Sequence, residues 1–338
     1  MKNKFEIFNR VILPESPTLI IAEVGINHLG DEKLCEKMIL SAIESGADCI
    51  KLQTGNVEES FHPNNISYSA FKGSELSKNS LNNLSKIAKE NGSFLFSSPG
   101  DFSSLNLLRS IHTEAYKVSS GQFTNIPIIE EMICDNIPII FSTGMAKEED
   151  IERVINLCNV NNFSNFAILY CVSLYPTSSD QINLEYINHL SKKFNVISGY
   201  SDHTIGELAC LASVALGAKI IEKHFTIDNT LEGADNALTM KPEDFKKMCE
   251  NIRNIENMKY GPNVKPHPLE LELRDTRYRK IVAKRDIQKG EEFNVENTNF
   301  MRITSKDESL FASDWNKVSG KISKKFIKKH TLITKNSY

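Results

Sequence analysis

The chain has 338 residues, 40% apolar and 25% charged, and its 40 basic and 43 acidic side chains leave a net charge of −3. This composition excludes a disordered, collagen-like or disulfide-stapled chain and leaves mass for one large core plus a minor one. No run approaches roughly 18 uninterrupted apolar residues, so no membrane span is expected. The opening Met1-Lys2-Asn3-Lys4-Phe5-Glu6 carries no apolar signal core, and the expected location is cytoplasmic. The seven cysteines, at 35, 49, 134, 158, 171, 210 and 249, include no CxxC, which suits reduced thiols better than a zinc–cysteine site.

In chain order, the first apolar run is 18–25 (TLIIAEVG), which ends in polar residues and reads as a buried strand. Over 31–45, Leu34, Met38, Ile39 and Ala42 form a helical stripe. Strand-like runs recur at 48–54, 94–99, 115–120, 138–144, 166–173, 196–202 and 218–225. Further helical candidates lie at 102–111, 126–135, 147–158, 183–193, 205–215 and 242–257. Eight βα units within roughly 250 residues predict an α/β fold, a (β/α)8 TIM barrel. A doubly wound open sheet is the alternative, but Gly25-Ile26-Asn27-His28-Leu29-Gly30 lacks the spacing of a dinucleotide fingerprint.

The barrel is expected over 1–260. Three prolines and a glycine within 261–268 make 261–276 read as a linker. Residues 277–338 carry 15 basic and 7 acidic side chains, or +8 against −11 for the rest, and read as a small β-rich domain with strands near 280–283 and 295–302. The lysine cluster at 324–329 lacks interleaved aromatics and reads as a solvated face, so no nucleic-acid partner is expected.

In such barrels chemistry sits at the C-terminal strand ends. Those ends carry Glu23; Lys51 and Gln53; Ser97 and Ser98; Lys117 and Ser120; Ser142 and Thr143; Ser173 and Tyr175; Ser201, Asp202 and His203; and Glu222 with His224. Charges on buried strands need partners or ligands. Two lysines and several hydroxyls on one rim predict a site for phosphate or carboxylate. His203 and His224 on neighbouring strand ends predict a divalent-metal site, whereas a single rim histidine is more often a hydrogen-bonded structural residue. Lys51 has a bland reading too, as an ion-pair partner of Glu23. His28 reads equally as a substrate contact or a loop hydrogen-bonding residue.

The strings Ala22-Glu23-Val24-Gly25-Ile26-Asn27-His28, Lys51-Leu52-Gln53-Thr54, Ser97-Ser98-Pro99 and Tyr116-Lys117-Val118-Ser119-Ser120-Gly121 follow one another. So do Ser142-Thr143-Gly144-Met145, Tyr175-Pro176-Thr177, Gly199-Tyr200-Ser201-Asp202-His203-Thr204 and Glu222-Lys223-His224-Phe225-Thr226. In this order they resemble the sialic acid (N-acylneuraminate) synthase family, which includes pseudaminic and legionaminic acid synthases. The tail resembles that family's antifreeze-like (SAF) domain. The resemblance implies condensation of phosphoenolpyruvate with an N-acyl-mannosamine-type aldehyde sugar, giving a nonulosonic acid and phosphate. It implies a divalent metal, manganese in many members, held by His203 and His224. It places Lys51, Ser98, Lys117, Ser120 and Ser201 on phosphoenolpyruvate, and Glu23, Gln53 and Tyr175 on the sugar. Glu222 stands beside the metal as an acid–base group, so that Glu23, Glu222 and His203 are the implied catalytic residues. The family forms domain-swapped homodimers, and Arg302 is implied to reach a partner chain's acceptor sugar.

Departures fall on the acceptor side. The loop after the eighth strand reads Gly233-Ala234-Asp235-Asn236 where the family usually has Gly-Pro-Asp-His, with Asp235 retained as a sugar contact. Ser173 stands where asparagine is frequent, as in the pseudaminic branch. Arg302 is followed by Ile303 rather than proline, and 55–79 looks short for the family. Two other readings remain at this level: another phosphoenolpyruvate-condensing aldol-type barrel, which the tail disfavours, and a non-catalytic paralogue acting as a binding subunit, which the retained lysines, histidines and carboxylates disfavour.

Overall fold

A computed structural model of the chain describes residues 3–231, 239–261, 265–305 and 309–338, in two units, 1–261 and 262–338. In the first unit the apolar runs become parallel strands buried on both faces, which is why they read as continuous apolar stretches. They are β3 (Leu19–Gly25), β4 (Cys49–Thr54), β5 (Leu95–Pro99), β6 (Tyr116–Val118), β7 (Ile139–Ser142), β8 (Phe166–Cys171), β9 (Ile197–Asp202) and β10 (Ile220–His224). They close in chain order, β10 pairing with β3, into the predicted barrel. Three strands end two residues earlier than expected, at Val118, Ser142 and Cys171, so Ser120 opens a short 3-10 turn and Gly144 and Ser173 lie in the loops that follow.

Period-two alternation sorts the interior into layers. Ile21, Cys49, Phe96, Ala115, Ile140, Leu169, Ile197 and Ile220 form an apolar floor. Two residues further along each strand stand Glu23, Lys51, Ser98, Lys117, Ser142, Cys171, Gly199 and Glu222, so the polar layer lies directly above the apolar one. At Gly199 a β-carbon would come within 2.2 Å of the Ile220 carbonyl oxygen, which leaves no room for a side chain there.

A hairpin absent from the sequence reading, β1 (Phe5–Ile7) and β2 (Arg10–Ile12), adds Phe5, Ile7, Phe8 and Ile12 to the floor. Its two-residue turn, Phe8-Asn9, has φ of 49° and 61°, the geometry that matches strand twist but is uncommon for phenylalanine. The Phe8 ring stacks on Phe94 at 4.5 Å, and this burial offsets the strain.

The outer helices are α1 (Glu32–Glu44), α4 (Lys78–Glu90), α5 (Phe102–Ser110), α6 (Ile126–Cys134), α7 (Glu148–Val160), α8 (Glu185–Phe194), α9 (Leu208–Leu216) and α10 (Pro242–Tyr260). Two short helices, α2 (Val57–Ser60) and α3 (Ile66–Phe71), precede α4. The sequence reading placed no helix between the second and third strands. There α4 buries only Leu81, Leu84 and Ala88 in an Asn-, Ser- and Lys-rich run, with Ser77 accepting from the Ser80 amide at 3.1 Å as its cap. Among the described residues no helix is long and apolar enough to cross a membrane.

The segment expected as a linker contains the start of α11 (Pro268–Arg277), which runs one residue past it. Its prolines serve as a start signal: Pro268 begins the helix, and the His267 ring accepts from the Leu269 amide at 3.2 Å. The remainder of the second unit pairs β11 (Arg279–Ala283) antiparallel with β12 (Thr298–Arg302). A helical turn, α12 (Trp315–Val318), and isolated bridges surround a small core of Ile281, Ile287, Phe293, Leu310, Val318, Ile327 and Ile333.

Candidate active site

The C-terminal ends of the strands bring two ammonium groups and two carboxylates together inside the barrel. Lys51 Nζ lies 3.1 Å from Glu23 Oε2 and 3.2 Å from Glu222 Oε1. Lys117 Nζ lies 3.7 Å from the same Glu222 oxygen and donates to Ser142 Oγ at 2.7 Å. Ser201 Oγ donates to Glu222 Oε1 at 2.9 Å, and Gln53 Nε2 to Glu23 Oε1 at 2.9 Å. All four charged side chains are buried. The bland reading of Lys51 as a partner of Glu23 therefore describes a real contact, but the pair belongs to a four-membered cluster.

Burial splits the ionisation of these groups. Burial would raise Glu222, but Lys117 and Lys51 outweigh it and hold the carboxyl down at about 2. Glu23, with one ammonium neighbour and the negative Glu222 near, is pushed up to about 7, mainly by burial. Burial lowers Lys117 to about 8 against the pull of Glu222. Burial also works against the charge of Lys51, yet Glu222 and Glu23 together carry its pKa above the ordinary lysine value. Near neutrality the cluster thus holds one firmly ionised carboxylate, one carboxyl balanced between its forms, and two ammonium groups. Among the described residues Ser98 Oγ and Glu222 Oε2 are buried without a hydrogen-bond partner, as expected of groups that face a ligand.

Two residues beyond Ser201 and Glu222 stand His203, just past the end of β9, and His224, the last residue of β10, with ring centroids 5.3 Å apart. Tyr175 covers them, its ring 4.1 Å from His203 and 6.0 Å from His224. His203 Nδ1 lies 2.7 Å from the Val172 carbonyl oxygen, which assigns the proton to Nδ1 and the lone pair to Nε2. Burial lowers the His203 pKa, keeping the ring neutral. In the loops after β6 and β8, Ser120 and Ser173 share a hydrogen bond of 2.8 Å. This hydroxyl pair sits on Gly144, where a β-carbon would come within 2.1 Å of Ser120 Cβ and 2.7 Å of Ser173 Oγ. Beside Gln53 a cavity of about 210 Å³ is lined by residues that include Asn56, Ser60, Phe61, Phe71 and Glu75.

Of the residues named from the sequence, Glu23, Lys51, Gln53, Lys117, Ser201 and Glu222 share contacts. Ser98 stands next to Gln53 in strand register. His203, His224 and Tyr175 form the ring group. Asp235 lies outside the described residues, and Arg302 is exposed at the end of β12 in the second unit. Asp202, noted with the strand ends, does not join the cluster: its carboxylate pairs with Lys223. His28 is buried after β3, its Nδ1 accepting from the Gly30 amide at 3.1 Å, and burial lowers it to about 4. The sequence reading passed over Cys171, whose sulfur lies 3.9 Å from His203 Nδ1, because a cysteine in phase with Ala167 and Leu169 reads as core.

The NeuB family model matches residues 38–263, and the SAF domain model matches residues 278–337. The chain belongs to the NeuB family. It is an enzyme of the sialic-acid-synthase type, with a C-terminal SAF domain. Its relatives include an uncharacterized protein of Methanocaldococcus jannaschii, 39% identical over 88% of this chain and 89% of that protein. The N,N'-diacetyllegionaminic acid synthase of Campylobacter jejuni is 35% identical over 94% of this chain and 98% of its own length. Among solved structures, the N-acetylneuraminic acid (sialic acid) synthetase of Leptospira borgpetersenii in complex with citrate aligns with a TM-score of 0.76 at 32% identity. That alignment covers 82% of this chain and 98% of the other.

Proposed function

We propose that this NeuB-family site condenses phosphoenolpyruvate with an N-acyl-mannosamine-type aldehyde sugar to give a nonulosonic acid and inorganic phosphate. The observation that carries the reading is the joining of Lys51, Lys117, Glu23 and Glu222 at one strand end, with two histidines directly above them. In the reaction C3 of the enol ester attacks the aldehyde carbon, and water adds at C2. The C2–O bond to phosphate then breaks, leaving a ketone. Lys51, Lys117, Ser98, Ser120 and Ser201 hold the phosphate and carboxylate of the enol ester, and this fixed placement removes an entropic part of the barrier. Glu23, balanced near neutrality, takes the proton of the attacking water. Glu222 stays ionised and stabilises positive charge developing at C2. Gln53, Tyr175, Ser173 and Asp235 serve the acceptor, and the partly aromatic, partly polar cavity beside Gln53 suits an acylated amino sugar.

The donor set fits a divalent cation such as Mn2+. It comprises two adjacent rings, one a neutral imidazole whose Nε2 lone pair is freed by the Val172 contact, although the described residues supply no cluster of three His, Cys, Asp or Glu ligands. His203 and His224 would hold the ion, which when bound supplies Lewis acidity toward the aldehyde oxygen. The resemblance further supports a domain-swapped homodimer in which the partner subunit's Arg302 serves the acceptor end.

The test is phosphate release from phosphoenolpyruvate with Mn2+ and a panel of sugars. Release with N-acetylmannosamine or a 6-deoxy diacetamido hexose supports the reading. Release only with simple aldose phosphates overturns it in favour of another aldol-type barrel, and no release with any sugar favours a binding subunit.

A further inference from the structure

A second ion pair is buried directly behind the two histidines. Because side chains alternate along a strand, the neighbours of Ser201, His203, Glu222 and His224 face out of the barrel toward the helices. There Lys223 Nζ donates to Asp202 Oδ2 at 2.7 Å and to the Thr204 carbonyl oxygen at 2.5 Å. The same carboxylate accepts from the Thr204 amide at 2.8 Å, from Thr204 Oγ1 at 3.1 Å and from Cys210 Sγ of α9 at 3.2 Å. The two side chains are 2% and 0% exposed.

A buried ion pair of this kind is a poor stabilising device, since well-packed apolar residues of similar volume commonly do as well or better. What distinguishes this one is where its bonds go. Asp202 and Thr204 flank His203 on either side, and Lys223 is the residue before His224. One ammonium group on β10 therefore ties down both ends of the peptide segment that carries the first imidazole. The loop after β8 holds the same segment from the other side, with the Thr177 amide donating to the His203 carbonyl oxygen at 2.9 Å.

We propose that Asp202 and Lys223 are positioning residues that set the separation of the His203 and His224 imidazoles, and through it the affinity of the site for a divalent cation. This role rests on the metal reading given above. It predicts that removing the pair weakens cation binding while leaving turnover at saturating cation nearly intact.

The experiment titrates the full-length protein with manganese chloride, following free Mn2+ by its paramagnetic resonance signal, and records melting curves of the same metal-free samples. Lys223→Met alone strands a buried carboxylate and lowers the melting temperature. The double variant Asp202→Asn, Lys223→Met removes both charges with little change in volume and keeps the fold measurable. The double variant is expected to bind Mn2+ about 10- to 100-fold more weakly than the unaltered protein, with kcat at saturating Mn2+ within about twofold. Lys223→Arg, which keeps the charge and the donors, is expected to recover most of the affinity. A folded double variant with unchanged Mn2+ affinity overturns the positioning role and leaves the metal reading standing. An unaltered protein that binds no Mn2+ overturns the metal reading itself, and this role with it.

Discussion

Glu222 has two ammonium groups within 4 Å of one oxygen and a hydroxyl donating to the same atom, while its other oxygen has no partner among the described residues. Removing that charge leaves Lys51 and Lys117 facing one another with only Glu23 to balance them. Glu222→Gln is therefore expected to cost about 3–5 kcal/mol of stability in urea unfolding and at least about 100-fold in phosphate release; a variant unchanged in both would remove Glu222 from its assigned place. The sign of the pH effect follows from the shift. The folded-state pKa of Glu222, about 2, lies below the ordinary 4.5, so its contribution is complete above the ordinary value and is lost as pH falls toward 2. Stability measured from pH 5 down to 2 should fall less steeply in Glu222→Gln than in the unaltered chain. Activity responds to two other groups. Glu23 must lose its proton to act as a base and is raised to about 7, whereas Lys117 must keep its proton to hold an anion and is lowered to about 8. The profile of kcat/KM should be a narrow bell, falling below about 7 and above about 8. A flat profile from pH 6 to 9 would contradict the assignment.

At the scale of elements, the barrel separates stability from chemistry along its axis. The floor and the β1–β2 hairpin lie at the N-terminal end, and every polar contact of the cluster lies at the other. Phe5 is fully buried in the floor, so Phe5→Ala is expected to cost about 3–5 kcal/mol by thermal or urea unfolding. Its kcat/KM for phosphoenolpyruvate, measured on folded protein at 25 °C, should stay within about twofold of the unaltered enzyme. A tenfold loss of turnover without loss of stability would mean that the hairpin reaches the chemistry. The same comparison shows what was legible in the sequence. Strands buried on both faces announce themselves as apolar runs, and all eight were read in order. The hairpin was not, because its strands have three residues each and its turn, Phe8-Asn9, lacks the glycine that normally marks such a geometry. Helix α4 was missed because three buried side chains in thirteen residues are a faint stripe, although their spacing is helical. At 261–268 the proline signal reads as a spacer, although Pro268 starts a helix capped by the His267 ring.

For the whole molecule, the proposed swap has a direct consequence. If the partner subunit's Arg302 serves each barrel, then mixing His203→Ala and Arg302→Ala chains should restore activity that neither has alone. After random reassociation half the dimers are mixed and each holds one competent site, so recovery should reach about one quarter of the unaltered rate. No recovery, with dimers confirmed by sedimentation, would place Arg302 in its own chain's site or in none. The sequence by itself determined the order of the eight barrel strands and the residue types at their ends that are available for an anion and a cation, because these are written within a few neighbouring positions. Only the tertiary structure decided which charges meet. Lys51 and Glu222 are 171 residues apart, and the carboxylate of Asp202 meets Lys223 and Cys210 rather than the ammonium groups of the cluster. The split that leaves Glu23 near 7 and Glu222 near 2 arises from burial and from the number of ammonium neighbours each acquires, and these quantities exist only once the barrel has closed.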